Sequence, residues 1–277
     1  MIGRGSDEAI DLLVRAFCRA YADSIVVTPP TFGMYAMCAQ IQGAIVKSVA
    51  LDADFALDTT GLFAALDDSV KLVFLCSPGN PGGCCLDEVA IEAVLQACAG
   101  RALVVVDEAY GEFTGRVSWA ARLPEFPNLV VLRTLSKLYG LAGARVGVLL
   151  ARAPIVELLT RILAPYPVPA PVAERVLTAL TPEKLAARAA QCRLILSERS
   201  RLAEALMGLS WVRRVYASDA NFLLIACVDA EPVLAACRAA GIRIRDRRAD
   251  VANAVRISVG TPEENTLLLE VLSRVSR

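Results

Sequence analysis

Short runs of almost unbroken apolar residues constrain this chain more than any other feature. "SIVV" (24–27), "AIVKSV" (44–49), "VKLVFLC" (70–76), "ALVVVD" (102–107), "LVVLRT" (129–134) and "RVGVLL" (145–150) read as buried strands. Between them lie helical patterns, with Ile10, Leu13, Val14 and Phe17 on one stripe and Val89, Val94 and Leu95 on another. Strand–helix alternation of this kind predicts an α/β fold, a mostly parallel sheet wrapped by helices. The proline-rich "APYPVPAP" (164–171) interrupts the pattern, and a long helical stretch runs on to about residue 208. Strands follow near 221–227, 242–245 and 254–260. A closing helix opens at "TPEEN", with Thr261 as N-cap, Pro262 at the first position and Glu264 completing a capping box. The expected organisation is a large domain over 1–165, then a connecting helix and a smaller C-terminal α/β domain over 166–277.

Composition narrows the chemistry. There is no histidine, which removes Ser-His-Asp and Cys-His catalysis and every histidine-ligated metal site; no metal is expected. The formal net charge is zero and no basic run occurs, so nucleic acid and anionic membranes have no electrostatic hold. No apolar stretch reaches spanning length without a charge or proline, and the start lacks a signal-peptide core. The nine cysteines are scattered and include no CxxC pair, the usage of a reduced, cytoplasmic protein.

The chain has four lysines, Lys47, Lys71, Lys137 and Lys184, and one of them stands in "RTLSKLYGLAGARVG" directly after an apolar run. Lysine can become an amine nucleophile, whereas arginine effectively cannot. In an open α/β sheet, ligands bind at the carboxyl ends of the strands. Four polar clusters fall there: Gly5-Ser6-Asp7 before the first helix, "SPGNPGG" with Asn80, "DEAYGEF" with Asp107 and Tyr110, and "SK" with Ser136 and Lys137. Taken singly, these are an N-cap, a turn, a solvated strand end and a surface lysine. Taken together, they describe a pocket for pyridoxal 5'-phosphate. Lys137 supplies an amine for the cofactor's aldehyde, and a buried anionic Asp107 holds the proton on its pyridine nitrogen. Tyr110 and Asn80 face its ring oxygen, and the Ser6 and Asp7 amides, the Ser136 hydroxyl and the Arg145 fork take its phosphate.

"GRGSDEAIDLLVRAFC", "PPTFGMY", "LCSPGNPGG", "VVVDEAYGEF", "LRTLSKLYGLAGARVG", "APYPVPAPVA" and "VRISVGTPEEN" together resemble histidinol-phosphate aminotransferases of the fold-type I pyridoxal-phosphate superfamily. The resemblance runs across essentially the whole chain. It implies that Lys137 bonds the cofactor and then shuttles a proton between substrate and cofactor carbons. It implies that Phe32 stacks on the ring face, and that Arg245 and Arg256 bind the substrate's phosphate or carboxylate. The implied reaction is amino transfer from histidinol phosphate to 2-oxoglutarate, in a homodimer with small-molecule substrates. An aromatic amino-acid aminotransferase, a threonine-phosphate decarboxylase and a truncated, inert form are the alternatives. Members of the family are usually longer at the N-terminus, where they carry an arm and a tyrosine that reaches the partner subunit's cofactor phosphate. They also usually read Pro-Thr-Gly where this chain reads Pro81-Gly82-Gly83.

Overall fold

A computed structural model describes residues 1–275. The strands β1 (Ile2–Gly3), β2 (Ser24–Val27), β3 (Ile45–Ser48), β4 (Val70–Cys76), β5 (Leu103–Asp107), β6 (Leu129–Thr134) and β7 (Gly147–Ala151) form one sheet, in the order β1-β7-β6-β5-β4-β2-β3. The five strands from β6 through β3 are parallel; β7 runs antiparallel to both β6 and β1. The expected parallel sheet is therefore correct for its centre and one edge.

Helices cover both faces, as all-apolar parallel strands require. On one side α1 (Gly5–Phe17), α2 (Met34–Gln42) and α5 (Ala153–Ile162) bury Ile10, Leu13 and Leu159 against Phe74, Val105 and Leu132. On the other, α3 (Thr59–Ala65) and α4 (Glu88–Ala97) pack Leu62, Ile91 and Leu95 on Val73, Val104 and Val131. Val89, grouped with Val94 and Leu95 by its spacing, points to solvent instead, because it lies in the first turn of α4.

The proline-rich segment leads into α6 (Ala170–Ala179) and then α7 (Pro182–Met207). The long helical stretch is thus two helices, broken at Leu180-Thr181, with Pro182 opening the second where its missing N–H costs nothing. The second sheet, β10 (Arg245–Asp246), β11 (Ala254–Ser258), β9 (Phe222–Cys227) and β8 (Val212–Val215), is wholly antiparallel. It packs on the end of α7, on α8 (Ala230–Ala239) and on α9 (Pro262–Leu272) through Leu202, Trp211, Val233 and Leu268. Of the "IRIR" run only Arg245 joins a strand. The Ile242 amide closes the end of α8 by donating to the Cys237 carbonyl. The capping box at Thr261 and Glu264 is present as expected.

The two sheets are stitched beside the carboxyl end of β4. The Cys85 amide donates to Asp219 at 2.8 Å, the Asp219 amide donates to the Gly83 carbonyl at 2.8 Å, and Arg214 pairs with Asp54. Gly82, standing where threonine is usual, lies under the Phe55 ring: a β-carbon there would meet it at 2.9 Å. Phe55 in turn packs on Tyr216, ring centres 5.0 Å apart. The absent side chain is replaced by an aromatic ring from another loop.

Candidate active site

Strand register brings the polar clusters together. Cys76 at the end of β4 pairs with Asp107 at the end of β5, and Asp107 in turn with Leu132 of β6. The chain leaves these strands toward one rim and there delivers Asn80, Tyr110, Ser136 and Lys137. The result is a cleft of about 180 Å³. Ser6, Asp7, Phe32, Asn80, Asp107, Tyr110, Ser136, Lys137 and Arg145 all line it. Arg245 and Arg256 do not line it, but stand beside it on the second sheet.

One end of the cleft is the N-terminus of α1. The helix starts at Gly5, so Ser6 and Asp7 lie inside its first turn rather than before it, and Arg4 occupies the cap position without a side-chain cap bond. First-turn amides have no intrahelical acceptor, and the helix dipole favours an anion there. Gly147 of β7 makes this placement possible: a β-carbon at that residue would overlap the Gly5 carbonyl carbon and the Ser6 nitrogen. Arg145, in the left-handed region at φ 53°, turns its guanidinium to Asp7 at 3.0 Å. A non-glycine residue held there is uncommon. The Ser136 hydroxyl accepts from the Thr134 hydroxyl, 2.9 Å away, and Thr134 itself lines the cleft.

The floor is Asp107, 2% exposed. Its Oδ1 accepts from the Ala109 amide at 3.0 Å, and its Oδ2 accepts from the Tyr35 hydroxyl at 2.7 Å. Among the described residues no lysine or arginine forms an ion pair with it. Burial pushes its pKa up, opposed first by the Tyr35 hydrogen bond and then by the Ala109 amide. Glu108, which the sequence allows as a solvated neighbour, is also buried: it accepts from Ser118 and the Trp119 amide and pairs with Arg133 at 3.2 Å. Those contacts fold the loop after β5 and leave Asp107 alone facing the cleft.

Lys137 follows β6, in a turn closed by the Gly140 amide on its carbonyl. Its amine lies 5.1 Å from the centre of the Tyr110 ring. The lysine is open to solvent through the cleft, yet the surrounding walls lower its pKa by desolvation first and by the Arg256 charge second. Tyr110 is pushed up to about 12 by burial, so its phenol stays protonated and able to donate a hydrogen bond.

Arg256 of β11 donates to Asn80 Oδ1 at 2.6 Å and lies over the Phe222 ring at 4.7 Å. Arg245 of β10 is its direct cross-strand partner. Like charges directly opposite one another are unfavourable unless an anion lies between them. Burial lowers the pKa of Arg256, with Arg247 and Arg245 acting in the same direction, and its Nε is buried without a hydrogen-bond partner. Residue reading missed Tyr35 and Thr134. Thr134 ends a strand as Asp107 does and carries that signal, whereas Tyr35 reads only as a core aromatic.

The profile of the family described as aminotransferase class I and II matches residues 1–272. A histidinol-phosphate aminotransferase from Xylella fastidiosa (strain 9a5c) is 51% identical over 281 residues, covering 98% of this chain and 76% of the relative. The structure of the histidinol-phosphate aminotransferase from Clostridium acetobutylicum superposes with a TM-score of 0.90 at 22% identity, covering 99% of this chain and 82% of that one, a likeness of fold. That from Sinorhizobium meliloti, solved in complex with pyridoxal-5'-phosphate, superposes at 0.86 with 28% identity, covering 99% and 76%. With the family profile spanning nearly the whole chain, this protein belongs to the class I and II aminotransferases.

Proposed function

We propose that the chain transfers the amino group of histidinol phosphate to 2-oxoglutarate, using pyridoxal 5'-phosphate, and gives imidazole-acetol phosphate and glutamate. The observation that carries this reading is a pair of unmatched charges in one cleft. Asp107 is a buried carboxylate with no ion-pair partner among the described residues, and Lys137 is a solvent-open amine that likewise forms no ion pair among them. A protonated pyridine nitrogen answers the first, and an aldehyde answers the second. The α1 N-terminus with Ser136 and Arg145 suits a phosphate at the far end. Names of relatives at about half identity supply the donor.

Bound there, the cofactor supplies an electron sink that lets the carbon–hydrogen bond beside the amine ionise. The protein does the rest. Phe32 would cover one face of the ring, Tyr110 and the Asn80 amide nitrogen would donate to its ring oxygen, and Asp107 would hold the proton on its ring nitrogen. Lys137 Nζ would take the proton from the substrate carbon and return it to the cofactor's carbon on the other side of the nitrogen, and burial, which lowers its pKa, favours the free amine this role needs. Arg256 and Arg245 hold the substrate's anionic end.

In this reading residues 1–165 form the cofactor domain and 166–277 the smaller one. The active form is a cytoplasmic homodimer. An apolar groove of about 370 Å³, formed by Ile2, Val146, Pro167, Val168 and Leu177 near α6, supports a second copy seated there. Among the described residues no helix is long and apolar enough to cross a membrane.

Visible absorption tests the proposal. The chain mixed with pyridoxal 5'-phosphate should develop a band that Lys137→Ala lacks, and histidinol phosphate should bleach it. A band indifferent to histidinol phosphate overturns the donor; no band overturns the cofactor.

A further inference from the structure

The "PPTFGMY" segment contributes more than Phe32. Three residues on, in the first turn of α2, Tyr35 is fully buried, and its ring lies flat on Phe74 at 4.7 Å between centres, with an interplanar angle of 11°. Its edge meets Phe32 at 5.7 Å and 85°. These contacts leave the ring no freedom to turn, and its hydroxyl ends 2.7 Å from Asp107 Oδ2.

We infer that Tyr35 is a positioning residue, whose hydroxyl sets the plane of the Asp107 carboxylate and keeps it anionic toward the cofactor's ring nitrogen. The inference rests on the reading of this cleft as a pyridoxal-phosphate site. Two donors from different elements, Tyr35 and the Ala109 amide, take one oxygen each and so fix the carboxylate in two directions. The remaining acceptor capacity is left for the cleft. A buried carboxylate without a cation tends to take up a proton, and hydrogen bonds to its charged form oppose that.

The other groups facing the pair do not substitute for Tyr35. The Cys76 thiol of β4 is pushed up to about 12 by burial and stays neutral. Asp7 of α1 raises the Asp107 pKa, Lys137 lowers it from across the cleft, and Tyr110 is itself a neutral phenol. A buried tyrosine hydroxyl takes some hydrogen-bond partner. This one is spent on the carboxylate that lacks an ion pair.

Tyr35→Phe keeps the ring stack and removes the donor. In the full chain loaded with pyridoxal 5'-phosphate, the cofactor Kd should rise about tenfold, as expected for a hydrogen bond to a charged group. The pH at which the visible band changes should move upward, because a less protonated ring nitrogen repels the proton on the Lys137 nitrogen less. The double variant Tyr35→Phe/Asp107→Asn carries no buried unpaired carboxylate, so it folds even where the single variant does not. It should match Asp107→Asn alone in both measurements. An unchanged Kd and pH midpoint in Tyr35→Phe overturns the inference. So does a lowered melting temperature of the cofactor-free variant with an unmoved midpoint, or a further shift in the double variant. Failure of the unsubstituted chain to form a band overturns the cofactor reading and this inference together.

Discussion

Asp107 ends a strand of the larger sheet, while Arg256 lies in the middle of a strand of the smaller one. Asp107 is fixed from two sides by short hydrogen bonds and sealed from water. Arg256 is half-buried, meets another arginine across the strand pair, and keeps a buried Nε without a partner. The first environment sets the charge state of a single atom. The second keeps positive charge in reserve for an anion. On the proposed reading, reaction and recognition fall to different sheets, and each needs a different kind of incompleteness.

That division makes claims that can be broken. Arg256→Ala should lower kcat/KM for a phosphorylated amine by about ten- to a hundredfold, as loss of a charge-assisted contact worth about 1.5–3 kcal/mol predicts. The change should fall mainly on KM; an equal fall in kcat would place Arg256 with the reacting groups. Gly147→Ala tests the larger sheet, since the added methyl must displace the Gly5–Ser6 turn. It should cost about 1–3 kcal/mol in thermal unfolding. It should also weaken inorganic phosphate as a competitor of cofactor binding, and an effect on stability alone would detach that turn from the phosphate.

The smallest expected effect concerns pH. Burial raises the Asp107 pKa in the folded chain, so between the unfolded and folded values the folded form binds more protons. Its contribution favours folding at acidic pH and is lost as pH rises through the folded value. A cationic ring nitrogen reverses that preference. The rise in melting temperature given by pyridoxal 5'-phosphate should therefore be greater at pH 8 than at pH 5, and Asp107→Asn should narrow the difference.

Much of this architecture is readable from residues because burial on both faces leaves strands such as 70–76 and 129–134 almost wholly apolar, with Lys71 and Arg133 their only charges. The rim residues are readable for a related reason: a polar group ending such a run has few uses. Other features depend on distant partners. Tyr35 meets a carboxylate 72 positions away, and nothing in "GMY" distinguishes it from a core ring. Gly82 reads as a missing hydroxyl until Phe55 is seen above it. The break in the long helix turns on Pro182, which is compatible with a helix start or with its interior loop. "IRIR" has strand composition, yet its first residues are held by the end of α8.

Asn80 joins the two sheets, and an amide has two unlike ends. Its oxygen is committed to Arg256, so its nitrogen is turned the other way. No second arrangement of that side chain satisfies the arginine. The smaller sheet therefore sets the polarity of a group in the wall of the larger one.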